Sequence, residues 1–238
     1  MSLVAAAVCP HPPLIIPEVA AGAAAELDDL RAACDGAVDG LRAARPDAVV
    51  ILGGGDRTGW CEPDAVGSLA GFGTDLRVPL PGHGDSTPHT LPLSVTIGAW
   101  LLGRRPPGVP VHAATVARDA PVGECAPFGA RVAARAGRVG LLVMGDGSAC
   151  RGVKAPGYDD PRAEAYDKVV AQALAGADIG ALLGLDGGLS AELWVAGRPA
   201  WQALAGAARA AGGAWAGDLR YDAAPYGVGY LVASWGRA

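Results

Sequence analysis

No apolar run in these 238 residues approaches the length needed to cross a bilayer, so a membrane-spanning role is not expected. Clusters of positive charge are missing too. The net charge is −5 and the lysines and arginines are scattered, which leaves no electrostatic footprint for nucleic acid. The N-terminus has no basic n-region and meets its first prolines too early for a secretory h-region, so the expectation is a cytoplasmic protein. There is no CxxC pair. The five cysteines (Cys9, Cys34, Cys61, Cys125 and Cys150) are odd in number and far apart, against both a disulfide framework and a structural zinc site. Neither Gly-Asp stretch is a phosphate loop, because no Lys-Ser/Thr follows the glycines and GxGxxG is absent. No internal repeat or linker divides the chain.

What is present is alternation. With 51% hydrophobic residues the chain can bury a full core. "LVAAAVC" (3–9), "DAVVILGGG" (47–55), "PVHAATV" (110–116) and "RVGLLVMGDG" (138–147) are near-continuous apolar runs, the pattern of parallel strands buried on both faces. Helical spacing separates them over 22–44, 91–104 and 124–136, and returns at 161–176, 178–185 and 189–211. Two strand-like pieces, "GDLRYD" and "GVGYLVASW", close the sequence. Residues 54–88 are rich in Gly, Pro and Asp without a period, a long loop with room for short strands. These patterns predict one α/β domain over residues 1–238, with a mostly parallel central sheet covered by helices.

In such folds the chemistry gathers at the carboxyl ends of the strands. Three polar clusters fall there: Cys9-Pro10-His11, Gly54-Gly55-Asp56-Arg57 and Gly145-Asp146-Gly147-Ser148. Prolines on both sides of His11 fix the backbone, which suits either a side chain that must point somewhere specific or a plain strand terminator. Glycine followed by Asp or Ser is equally good turn chemistry. Three such turns on one edge predict a cleft shared by His11, Asp56 and Asp146.

The segment order "CPHPPLIIPEV", a strand ending in glycines, "LLVMGDGSACRG" and "APYGVGYLVASW" resembles the class III extradiol ring-cleavage dioxygenase superfamily, that of LigB and the MEMO-like proteins. The resemblance spans nearly the whole chain. It implies an iron(II) held by two histidines and a carboxylate, with a further histidine as acid/base. His11 matches the N-terminal metal histidine. Where the second should follow, "LGGGDRTGW" offers Asp56. Ala149 in "GDGSAC" stands where the acid/base ring belongs, and the third ligand position falls on Ala196 or Gly197, with Glu192 the nearest carboxylate. The metal set implied for a divalent ion is thus His11, Asp56 and Glu192. His83, in an HG-containing loop, matches a substrate-contacting histidine; the bland alternative is a solvated loop residue.

Three readings follow. The chain is a divergent metal-dependent enzyme acting on a small phenolic or heterocyclic substrate; or a non-catalytic MEMO-like protein that binds a metal or a partner; or a metal-free binding module or hydrolase using Asp56, Asp146 and Ser148. Ser148 has no evident histidine base, which weakens the hydrolase version. Homo-oligomerisation is left open, His112 reads as structural, and Cys9 and Cys150 as buried inert thiols. Trp60, Trp194, Trp201 and Tyr226 read as core or pocket wall.

Overall fold

Four apolar segments form the centre of one sheet: β1 (Leu3–Cys9), β2 (Ala48–Gly55), β6 (Val111–Ala117) and β7 (Val139–Met144). The computed structural model describes residues 3–84 and 89–238; the last part of the expected 54–88 loop, residues 85–88, lies outside them. The loop carries β3 (Gly59–Trp60), β4 (Val66–Ser68) and β5 (Arg77–Pro79), and the chain ends in β8 (Trp215–Ala223) and β9 (Tyr230–Arg237). The main sheet has seven strands in the order β3-β6-β2-β7-β1-β9-β8, while β4 and β5 pair separately. β6, β2, β7 and β1 run parallel; β3, β9 and β8 are added antiparallel at the margins. This is the α/β architecture with a mostly parallel sheet that the apolar runs predict.

Helices cover both faces because each carries an apolar stripe. The helices are α1 (Pro17–Ala20), α2 (Asp28–Ala43), α3 (Leu93–Arg104), α4 (Val122–Ala133), α5 (Arg162–Ala175), α6 (Ile179–Leu183), α7 (Gly187–Glu192) and α8 (Arg198–Ala211). On α2, Leu30, Cys34, Val38 and Leu41 recur at helical spacing and are buried against β1 and β9. α2 and α3 close one face of the sheet; α4, α5 and α8 close the other. On the second face α4 and α8 pack backbone to backbone. A Cβ on Gly129 would lie 1.8 Å from the Ala203 carbonyl oxygen, and one on Gly206 2.2 Å from that of Ala126.

The expected helix over 189–211 is two helices. α7 ends at Glu192, Trp194 takes a left-handed φ of 55°, and α8 restarts with Pro199 in its first turn. Proline is pre-organised there and needs no N–H partner. The break, 193–197, returns the chain to the carboxyl edge of the sheet, where the Gly197 N–H donates to the Asp146 carbonyl (2.8 Å).

Candidate functional site

β1 and β7 are neighbours, so the loops that leave their carboxyl ends meet. The Gly145 N–H donates to the Cys9 carbonyl (2.9 Å), extending the ladder by one bond. One residue on, the His11 backbone N–H donates to Asp146 Oδ1 at 2.7 Å. The prolines leave few N–H groups in this loop, and the one on His11 is held by a carboxylate. The imidazole Nδ1 is 3.5 Å from the same Oδ1 and, though buried, has no hydrogen-bond partner among the described residues. His11 and Asp146 are thus brought together, both largely buried. Tyr230, beside them on β9, has its hydroxyl pKa pushed up by burial, with the Asp146 charge adding to the shift.

Ser148 follows directly but faces inward. It is fully buried; its N–H and its hydroxyl donate to the two oxygens of Asp167 on α5, both at 2.8 Å. Asp167 is itself buried, and burial pushes its carboxyl pKa up, partly offset by those two bonds and by Arg151 at 3.7 Å. The pair ties the 145–148 loop to α5.

The two carboxylates expected beside His11 are engaged elsewhere. The Asp56 side chain is 97% exposed and faces Arg118 (3.5 Å). Glu192, 60% exposed, accepts from Arg162 at 2.7 Å, in a cluster with Asp160. Among the described residues no group of three or more His, Cys, Asp or Glu side chains is placed to hold a metal ion. The implied ligand set, His11, Asp56 and Glu192, therefore does not fit an iron(II) centre. Nor is there space at 197 for a replacement ligand: a Cβ on Gly197 would lie 2.2 Å from the Trp201 ring.

His83 lies at the other end of the sheet. Its Nε2 is 3.3 Å from the carbonyl of Val111, the first residue of β6, which is the amino edge. Its neighbour there is His112, whose pKa is lowered by burial first, then by Arg135 and His83. The Tyr226 hydroxyl donates to Glu26 at 2.9 Å. Trp201 is fully buried, whereas Trp60 and Trp194 are partly exposed. All five cysteines are free thiols; Cys9 and Cys150 are buried.

A cavity of about 770 Å³ lies at the carboxyl edge of β6 and β2; sequence reasoning read Trp194 as core or pocket wall but missed Arg118, Arg198 and Gln202, which line it too. Its walls come from the loop after β6 (Arg118–Pro121), from α7 and the break after it (Ser190, Trp194–Ala196), and from the start of α8 (Arg198, Gln202). It adjoins the predicted cluster: the Ala196 carbonyl oxygen is 3.5 Å from where a Cβ on Gly54 would lie. A groove of about 830 Å³ at the amino edge, between β1, β9 and the end of α2, is lined mostly by small residues and backbone. Strand-end loops supply the polar groups, so the site belongs at the carboxyl edge.

No protein-family model matches the chain, and no curated protein sequence matches it. Among solved structures it is similar to the crystal structure of an uncharacterized protein of Escherichia coli K12, at 13% identity and a TM-score of 0.58, over 98% of this chain and 99% of that one. At that identity the likeness shows the fold alone.

Proposed function

We propose that this protein is a divergent relative of the class III extradiol dioxygenases that binds a small phenolic or heterocyclic molecule at the carboxyl edge of its sheet without cleaving the ring. One observation carries the reading. The carboxylates that would have to join His11 around a metal lie at the surface: Asp56 is almost fully exposed and only loosely faced by Arg118, and Glu192 accepts from Arg162. His11 keeps the place of the family's first ligand, and its loop is fastened by a backbone bond to Asp146. Ala149 has no proton to give or take, and a positioned general acid or base contributes about a hundredfold to ten-thousandfold in rate.

The test is an anaerobic load with iron(II), addition of protocatechuate or catechol, admission of oxygen, and a search for the yellow ring-opened product. Wild type is expected to form none. The same assay on Ala149→His combined with Asp56→His asks whether the lost groups suffice. Ring opening by the wild type at a rate typical of enzymes overturns the reading and restores an ordinary dioxygenase assignment.

A further inference from the structure

Arg198 is a buried cation without a buried anion. Only 4% of it is exposed. Its Nη1 donates to the Ala120 carbonyl (2.8 Å) and to Gln202 Oε1 (2.9 Å), and its Nη2 to the Arg118 carbonyl (2.9 Å). Gln202 is held in turn by the Leu185 carbonyl at 3.0 Å. These bonds fasten the loop after β6 to α8. They satisfy part of the guanidinium's hydrogen-bonding capacity and leave its charge unmatched: among the described residues no carboxylate oxygen comes within 4.0 Å of it. A guanidinium has five N–H donors, and here Nε and one Nη2 hydrogen meet no described acceptor. Buried charges are ordinarily paired, because an isolated one is costly.

The same cavity has a second cation at its rim. Arg118 is well exposed and loosely faced by Asp56, the sort of solvated pair that exchanges readily for a better partner. Asp119 is the one acidic residue lining the space, and it is exposed.

Trp194 lines the same cavity, 57% exposed, and its ring lies close to Gly157. It occupies the position after α7 that closes the helix in left-handed conformation: the Val195 N–H reaches back to the Ser190 carbonyl (2.8 Å). Glycine is the usual residue there, and a bulky side chain at positive φ is strained. A large aromatic ring kept at a glycine position and at the mouth of a cavity points to a use for the ring.

We propose that this cavity binds a small organic carboxylate with a flat apolar body, the carboxylate received by Arg198 and Arg118 and the body lying along Trp194 and the apolar wall of Val195 and Leu185. The proposal rests on the cavity alone and holds whether or not the ring-cleavage reading above does. Asp56 is then the competitor the ligand displaces from Arg118.

Calorimetric titration with 2-naphthoate and with its uncharged counterpart 2-naphthamide tests it. Naphthoate is expected to bind with a dissociation constant of about 1 mM or tighter, and naphthamide at least tenfold weaker, about the factor that one charged partner supplies. Arg118→Gln lowers naphthoate affinity about fivefold and leaves naphthamide unchanged, whereas Asp56→Asn raises it about twofold. Trp194→Gly weakens both probes about tenfold while the melting temperature stays level or rises, since glycine relieves the backbone. In a ¹H–¹⁵N spectrum the Arg198 Nε–H shifts with naphthoate and not with naphthamide. Equal binding of the two probes, no naphthoate binding at about 10 mM, or unchanged affinity in Trp194→Gly overturns the proposal.

Discussion

Asp146 illustrates how one carboxylate can fix a loop that prolines have only stiffened. Its bond from the His11 N–H is charge-assisted and largely shielded, and such bonds contribute about 1.5–3 kcal/mol. Asp146→Ala is accordingly expected to lower the free energy of unfolding by about 2 kcal/mol in urea titrations, whereas a loss below about 0.5 kcal/mol would mean that the prolines alone hold His11 in place.

Asp167 sets a pH dependence of the opposite sign to an ordinary surface carboxylate. Burial raises its folded pKa above its unfolded value. The folded protein therefore keeps this proton over a range where the unfolded chain has released it, and stability falls as pH rises through that window. Asp167→Asn keeps an acceptor for Ser148 and removes the titration. The stability of wild type minus variant should decline with rising pH from the ordinary carboxylate value upward; a difference that is flat or that grows with pH contradicts the assignment.

Of these residues, His11 and Asp146 are legible in sequence because each closely follows an apolar strand and the strands turn out to be neighbours. Arg198 and Asp167 are not. Both sit in helical stretches where a charge reads as the solvated face, and only the packing of α8 on the β6 loop and of α5 on the 145–148 loop turns them inward.

At the scale of elements, the strands and most helices follow from apolar periodicity, and the break at 193–197 shows where that signal runs out. Leu193, Val195, Ala196 and Trp201 continue a helical apolar pattern, so nothing in the spacing interrupts 189–211. Pro199 and Gly197 mark the restart, and Trp194 conceals the stop by standing where glycine is usual. The unread break is the segment that lines the cavity.

Glycines divide in the same way by context. Gly129 and Gly206 let α4 and α8 touch backbone to backbone, and an added methyl would collide with carbonyl oxygens that cannot rotate away. Gly129→Ala and Gly206→Ala should each cost about 3 kcal/mol or more. Gly103, in the last turn of α3, has no positive φ, and nothing lies within 4 Å of where an added methyl would sit. Gly103→Ala should stabilise by about 0.5–1 kcal/mol, since alanine loses less backbone freedom in a helix. Thermal midpoints of the three variants decide the matter: similar shifts in one direction for all would refute the close-packing account of α4 and α8.

For the whole molecule, the sequence pattern leads to the α/β architecture with a mostly parallel sheet, and the antiparallel strands at both margins are added by the structure. No helix among the described residues is long and apolar enough to cross a membrane. The site is where architecture and chemistry part. The sheet edge gathers His11 and Asp146 as strand-end reasoning expects, but Asp56 is left in solvent beside Arg118, and Glu192 is bonded by Arg162, a partner that sequence spacing cannot rank. Local motifs specify which loop a carboxylate occupies; its direction depends on charges brought from distant parts of the chain.

Whether His11, fastened to Asp146 through its backbone N–H, stands outside any iron-binding set is tested most directly by anaerobic titration of untagged, metal-stripped protein with iron(II). No stoichiometric site tighter than about 100 µM is expected, and no change in the weak binding when His11 is replaced by Ala. One equivalent of iron(II) bound below about 1 µM, and lost in His11→Ala, would contradict it.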